Sequence, residues 1–345
     1  MASSLRTGSL YFGQDATKNT LTAIVGDVIT FCIILAGIAT AAAWYYVKQE
    51  ATSVQLVTIL LDILFDFLIP FLSGLSFLVA VVLTFRAITR TACTNNSTTT
   101  TTRPGRKAIL IASSSLVFSL STFYRALNIA SEGAAVCREK PSAFNAPITG
   151  RTIATFGEIA LVVQASLFIE EASIRLNTSR GPWANLFSTY TSLDFSTVLP
   201  VLFAEVFSWS GVLRIAGEQS SLFFCAEYIM WMFIAFTWAY DSAELLHKST
   251  LFMDSVSFCV LMLTGVILFL FNAVLELPHF FSGAERDPNQ PGIFECIQKH
   301  DSPLWKKRLP FFVMYFIGAS WIAVGGSFRF LRTIQYSNSN EKKEE

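Results

Sequence analysis

The chain has 345 residues, of which 52% are hydrophobic and only 14% are charged, and its mean hydropathy is +0.50. Soluble domains carry charge on about a quarter of their residues, so this composition excludes a soluble globular protein. The formal net charge of zero provides no bulk field that would attract a polyanion, and we expect no nucleic-acid partner.

Long apolar runs separated by charged connectors predict a polytopic membrane protein. About 20 mostly apolar residues are needed for a helix to cross the hydrocarbon core. The runs are continuous rather than alternating, which favours helices over barrel strands. We expect an all-α bundle in which residues 1–345 form a single integral membrane domain of about eight spans, with no soluble domain. The predicted spans are 22–46, 55–85, 108–131, 152–176, 192–214, 220–246, 252–277 and 309–332.

Proline and glycine modify three of these spans. The second span contains Pro70, which predicts a kink or a strong tilt. The fifth span has Pro200 in its first half, so its beginning is the least clearly defined of the eight. Gly318, Gly325 and Gly326 in the last span predict close packing against another helix.

The distribution of Lys and Arg indicates the orientation. With eight spans, the side that holds both termini carries fourteen of these residues and the opposite side carries ten, with Arg151 counted in the connector before the fourth span. Cytoplasmic loops are enriched in Lys and Arg, so we expect both termini in the cytoplasm. The membrane is either the plasma membrane or an endomembrane. Cys137 and Cys296 both fall in outer loops, where a disulfide between them would persist.

Ionisable side chains within the spans are the candidate functional residues. An ionised group at the bilayer centre costs about 2.5–3.5 kcal/mol on insertion scales, so such groups normally face the bundle interior or a water-filled cavity. The candidate residues are Asp62, Asp66, Arg125, Glu158, Glu205, Glu227 and Asp241.

The spacing and depth of these residues predict a shared site. Asp62 and Asp66 are four residues apart and lie on one helical face. Glu227 and Asp241 lie on one stripe of the sixth span, together with Trp231 and Trp238. In the expected orientation, five of the acids and Arg125 occupy the outer half or the middle of the bilayer. This excess of acid predicts a proton or cation path, whereas the alternative is that each group ties two helices together.

The residue inventory excludes several kinds of catalytic site. No span contains the lysine that a retinal Schiff base requires. His247 lies at a span end, and His279 and His300 lie in one loop, so an intramembrane zinc site of the hydrolase type cannot be assembled. No Walker loop and no serine elbow motif is present. We therefore expect no cofactor and no metal site, and an enzyme is not favoured.

The leading functional hypothesis is a transporter or channel for a cation, or for a small solute coupled to protons, through an acidic intramembrane cavity. Its partners are the lipid bilayer and a small cation or a proton. The alternative is a non-catalytic subunit or assembly factor, whose partners are other membrane proteins. A receptor and a membrane-embedded lipid enzyme follow in that order.

The topology can be tested directly. We expect tags at both termini to be accessible only after permeabilisation, and a tag within residues 278–308 to be accessible in intact cells, because Lys and Arg favour the cytoplasmic side. A glycan on Asn95, Asn96 or Asn177 would contradict this orientation, since all three sequons lie on the predicted cytoplasmic side.

Overall fold

The computed structural model describes residues 64–95, 103–128, 136–137, 143–177, 195–214, 220–249, 252–281, 292–294, 297–298 and 312–331. The first predicted span, residues 22–46, lies outside these ranges. Over the described residues, the protein is an all-α polytopic bundle with seven helices, six of which are long and apolar enough to span a membrane. The predicted fold class is therefore confirmed, and the count of eight spans is approximate.

The helices follow the predicted spans in chain order. They are α1 (Ile69–Asn95), α2 (Arg103–Leu127), α3 (Pro147–Leu176), α4 (Phe195–Leu213), α5 (Ser220–Lys248), α6 (Phe252–Phe271) and α7 (Val313–Leu331). The fifth predicted span corresponds to α4, the one of the seven helices that is not among the six long enough to span a membrane, and it contains Pro200.

The start of α3 differs from the prediction in a way that matters for the site. Pro147 occupies the first turn, where its missing N–H and fixed φ favour helix initiation. The helix ends at Asn177, whose φ of 48° and ψ of 45° are left-handed. Because α3 starts before the predicted span 152–176, Arg151 lies in the helix rather than in a connector.

Three helices contain π-helical turns at one end of the bundle. The turn Leu64–Leu68 precedes α1, Asn272–Glu276 continues α6 into the short helix Leu277–Phe281, and Val313–Ala319 opens α7. Pro70 follows the first of these turns and lies in the first turn of α1, and the kink or tilt that it predicts stays a prediction. Successive helices alternate in direction, so all three turns lie at the end where α3 begins.

Helix α3 is the centre of the bundle. It packs against α2, α4 and α5. Gln164 on α3 donates hydrogen bonds from Nε2 to the Ala323 carbonyl oxygen at 2.6 Å and to Ser327 Oγ at 2.9 Å, both on α7. One apolar cluster joins α3 to α4, α5 and α6, and another joins it to α1, α2 and α7. The position of each other helix is therefore defined relative to α3.

Helix α6 lies at the periphery. Only 17% of its span is buried, and Leu263, Ile267 and Leu270 are exposed. Hydrocarbon chains are as apolar as these side chains, so such a surface has no cost in a bilayer.

A two-stranded parallel pairing connects two loops at the end where α3 begins. Strand β1 (Val136–Cys137) pairs with β2 (Ile297–Gln298), with Cys137 opposite Gln298. This pairing brings together the connectors that carry the two cysteines predicted to be bonded. Cys296 lies outside the described residues, so the disulfide stays a prediction.

The close helix packing predicted for the last span is found elsewhere. A Cβ at Gly318 or Gly325 would meet nothing within 4 Å among the described residues, so the prediction was wrong at these two positions, whereas a Cβ at Gly326 would lie 3.7 Å from Gln164 Nε2 on α3. A Cβ at Gly265 would lie 2.6 Å from the Ala235 carbonyl oxygen and 2.8 Å from the Ala239 nitrogen. Helices α5 and α6 therefore approach each other at Gly265 too closely for a side chain.

We expect Gly265→Ala to lower the free energy of unfolding by about 1–3 kcal/mol, because the new methyl group would meet rigid backbone. Gly325→Ala is the matched control, and it should be neutral or stabilise by about 0.5–1 kcal/mol through helix propensity. Thermal unfolding of both variants in detergent would measure the difference. Equal melting temperatures would show that α5 and α6 do not pack at Gly265 as described.

Candidate functional site

The buried ionisable residues converge on Arg151, which lies in the second turn of α3 and is only 1% exposed. Its Nη2 donates to Glu158 Oε2 at 2.7 Å and to both carboxylate oxygens of Glu205, at 2.8 and 2.7 Å. Its Nη1 donates to Ser208 Oγ at 2.7 Å and to Glu227 Oε1 at 3.4 Å. One guanidinium therefore binds three carboxyl groups. We call Arg151, Arg125, Glu158, Glu205 and Glu227 the Arg151 cluster.

The sequence places these carboxyl groups on three helices. Glu158 lies two turns after Arg151 on the same face of α3. Glu205 lies in the middle of α4, and Glu227 lies about two turns into α5. All three are 5% exposed or less. The planar guanidinium, with five N–H donors in a fixed fork, is suited to binding several carboxylates at once.

A second guanidinium connects the cluster to α2 and α7. Arg125 Nη1 lies 3.4 Å from Glu158 Oε1, and the Tyr315 hydroxyl donates to the same oxygen at 3.0 Å. The Arg125 guanidinium lies 5.0 Å from the Tyr315 ring centroid and 5.5 Å from that of Phe316, which favours its positive charge. Both aromatic residues belong to the π-helical turn of α7. Wide turns of this kind are frequent at functional sites.

The Thr155 hydroxyl has two alternative acceptors within the cluster. Its Oγ1 lies 2.6 Å from Glu205 Oε2 and 3.0 Å from the backbone oxygen of Arg151. It also accepts a hydrogen bond from Trp209 Nε1 at 3.0 Å. A hydroxyl has one hydrogen to donate. Thr155 can therefore donate a hydrogen bond either to Glu205 or to the Arg151 backbone oxygen, and the choice depends on the charge on Glu205.

Among the described residues, the cluster has more acids than bases. The contacts described above join two guanidinium groups to three carboxyl groups, so full ionisation leaves one negative charge in excess among them. An excess charge inside the hydrocarbon costs about 2.5–3.5 kcal/mol even on the mildest insertion scale. Binding one proton or one small cation would remove that cost. The described residues contain no group of three or more His, Cys, Asp and Glu that could hold a metal ion.

The remaining predicted site residues lie elsewhere. Asp66 is exposed and lies in the π-helical turn before α1, and Asp62 lies outside the described residues. Asp241 is buried on α5, fourteen residues and therefore about 21 Å from Glu227. Of the seven candidate residues, Arg125, Glu158, Glu205 and Glu227 meet at one site.

The sequence reasoning missed the residue at the centre. Arg151 stands beside a glycine and two threonines at the edge of an apolar run, so hydropathy assigns it to a connector. Two signals could have placed it in the helix. Pro147 is a favoured first-turn residue, and the seven-residue step from Arg151 to Glu158 puts opposite charges on one face.

A separate ion pair lies near the other end of α3. Lys107 Nζ on α2 contacts Glu170 Oε1 at 3.3 Å and Glu171 Oε2 at 3.1 Å. Glu170 follows Glu158 by twelve residues, or about 18 Å of helix. Most of the α3 side chains between them pack in the apolar clusters, so the two charged groups are well separated.

Comparisons with protein-family models, curated proteins and solved structures found no match to this chain. The function is therefore inferred from the arrangement of the chain's own residues.

We expect Arg151→Met to lower the free energy of unfolding by about 3–5 kcal/mol, because it leaves three buried carboxyl groups without their shared counter-charge. Adding Glu205→Gln to this variant should recover part of the loss. Arg214→Met is the control, since Arg214 is exposed and its guanidinium lies over the Phe223 ring. Thermal unfolding in detergent would measure all three variants. An Arg151→Met protein as stable as Arg214→Met would contradict the central role of Arg151.

Proposed function

We propose that the protein is a proton-coupled transporter and that the Arg151 cluster is its proton-binding site. The observation that carries this proposal is the convergence of Glu158, Glu205 and Glu227 from three helices on Arg151, with one acid in excess of the two guanidinium groups. A proton is the smallest charge that balances the cluster, and it can be bound without displacing Arg151 from the carboxyl groups.

The geometry links proton binding to the positions of helices. Arg151 Nη2 contacts both Glu158 and Glu205, so these carboxyl groups compete for the same donor. A proton on Glu205 weakens its attraction to Arg151 and leaves Glu158 as the stronger partner. The tie between α3 and α4 then loosens, whereas the tie within α3 is strengthened.

The same event reaches two further helices through Glu158. This carboxyl group also binds Arg125 on α2 and Tyr315 on α7. A stronger pull of Arg151 on Glu158 competes with both contacts. The π-helical turn that carries Tyr315 is a weak point of α7, because π-helical turns replace regular helical hydrogen bonding. A change in protonation can therefore alter the packing of α2 and α7 as well as that of α4.

The proposal can be tested by pH jumps on proteoliposomes adsorbed to a solid-supported membrane. The wild-type protein should give a transient current on each pH jump, because protons enter the cluster from one side. Glu158→Gln and Glu227→Gln should reduce this current at least about tenfold while the amount of folded protein is kept equal. Glu244→Gln, a half-buried residue on α5 outside the cluster, is the matched control and should leave the current unchanged.

Three results would contradict the proposal. One is a wild-type current no larger than that of empty liposomes. Another is a loss of current in Glu158→Gln that only follows a loss of folded protein, which would indicate a structural tie. The third is a current that responds to Na⁺ or K⁺ jumps at constant pH and not to pH, which would assign the cluster to a metal cation.

A second candidate function is that of a non-catalytic subunit of a larger membrane complex. It is favoured by the contact of all three carboxyl groups of the cluster with Arg151, because a compensated network can serve as a structural tie. The apolar side of α6 provides a surface that another membrane protein could cover as well as lipid. Gentle extraction from the native membrane distinguishes the two functions. A subunit migrates with a larger complex, whereas a transporter does not require other proteins to migrate with it.

A further inference from the structure

A group of polar residues on α5 lies away from the Arg151 cluster. Trp238 is 2% exposed, Asp241 is 6% exposed and Ser242 is fully buried. Steps of three and four residues place Asp241 and Ser242 on either side of Trp238, within an arc of about 100° of the helix. The three side chains therefore share one face, near the end of the bundle opposite the cluster.

Two of these residues have no hydrogen-bond partner in the part of the chain that the structure describes. Trp238 Nε1 and Ser242 Oγ are buried polar atoms that meet no donor or acceptor among those residues. Buried polar groups are nearly always hydrogen-bonded, because the lost bond to water is otherwise not replaced. Two such atoms on adjacent turns of one face indicate a bound molecule rather than two independent defects.

The Ser242 hydroxyl does not make a hydrogen bond that is common for serine and threonine within helices. Five buried hydroxyls in the described helices donate to the carbonyl oxygen four residues earlier, at 2.8–3.0 Å, which satisfies them without any ligand. Residues that do so are Thr84, Ser166, Ser173, Thr237 and Ser320. Ser242 could make the same bond to Trp238 and does not, so its hydroxyl is directed away from its own backbone.

Trp238 belongs to a cluster of apolar side chains from α3, α4, α5 and α6. Its indole N–H can only donate, so its partner must be an acceptor. Side chains four residues apart on a helix are separated by about 5–6 Å at Cβ. One water molecule can accept from Trp238 Nε1, exchange a hydrogen bond with Ser242 Oγ and still reach a neighbouring acid.

We infer that Trp238 and Ser242 bind water next to Asp241, which makes this part of α5 a second hydrated polar site of the bundle. The ligand class is water, because the site offers one N–H donor and one hydroxyl within a mostly hydrocarbon wall. The inference goes beyond the proposed proton-binding cluster and does not depend on it. Water here hydrates a carboxyl group about 21 Å from Glu227 along the same helix.

X-ray hydroxyl-radical footprinting read by mass spectrometry would test this inference. Radicals formed from a bound water label the side chain beside it, even when that side chain is buried. We expect Trp238 to be labelled at least about fivefold faster than Phe258, a buried residue of the same apolar cluster, after correction for intrinsic reactivity. Ser242→Ala should reduce the labelling of Trp238 at least about threefold, because the water loses one of its partners.

The matched control is Ser166→Ala. Ser166 is buried, but its hydroxyl already bonds the Val162 carbonyl oxygen and Thr197, so this change should leave the labelling of Trp238 unaltered. A Trp238 labelling rate equal to that of Phe258, or one that Ser242→Ala does not change in a protein of normal melting temperature, would overturn the inference. The measurement needs no gradient and no transported solute. Its outcome is therefore independent of whether the pH-jump currents are found.

Discussion

The burial of the Arg151 charge is the constraint on which the arrangement of α3, α4 and α5 depends. A guanidinium with 1% exposure inside a membrane helix is tolerated only when its donors are paired. Its partners come from each of these helices, at 2.7 to 3.4 Å. The helices must therefore be rotated so that Glu158, Glu205 and Glu227 face one point. Since α3 also bonds α7 through Gln164 and packs against α2, this constraint extends to most of the described bundle.

A buried charge network of this kind is not an efficient way to stabilise a bundle. Taking charges out of water into a protein interior is costly, and apolar packing of similar volume is often at least as stable. The apolar clusters on both sides of α3 already join the helices. Among the described residues of the network the acids outnumber the bases, which adds to the cost. These considerations favour a role in binding or moving charge over a purely structural role, and they are the reason for preferring transport to the subunit function.

The irregular parts of the helices are found at the same end as the Arg151 cluster. The three π-helical turns and the β1–β2 pairing all lie at the end where α3 begins. The opposite end has the Lys107 ion pair with Glu170 and Glu171. The end that contains the acid-rich cluster therefore combines strong ionic ties with backbone segments that deviate from regular helix. Such a combination allows a local change in charge to be followed by a change in helix packing.

The sequence by itself determined the fold class, the approximate spans and four residues of the cluster, because hydropathy and the cost of a charge in lipid are local properties. Glu158, Glu205, Glu227 and Arg125 had to face inward whatever the neighbours were. Only the tertiary structure decided which of them meet, that Arg151 is their centre, and that Asp66 is exposed. Pairing depends on how each helix is rotated and which helices are adjacent, and the sequence of one helix does not contain that information. Glu205 on α4 and Glu227 on α5, which offset the cost of burying the Arg151 charge, are more than fifty residues away from Arg151 along the chain.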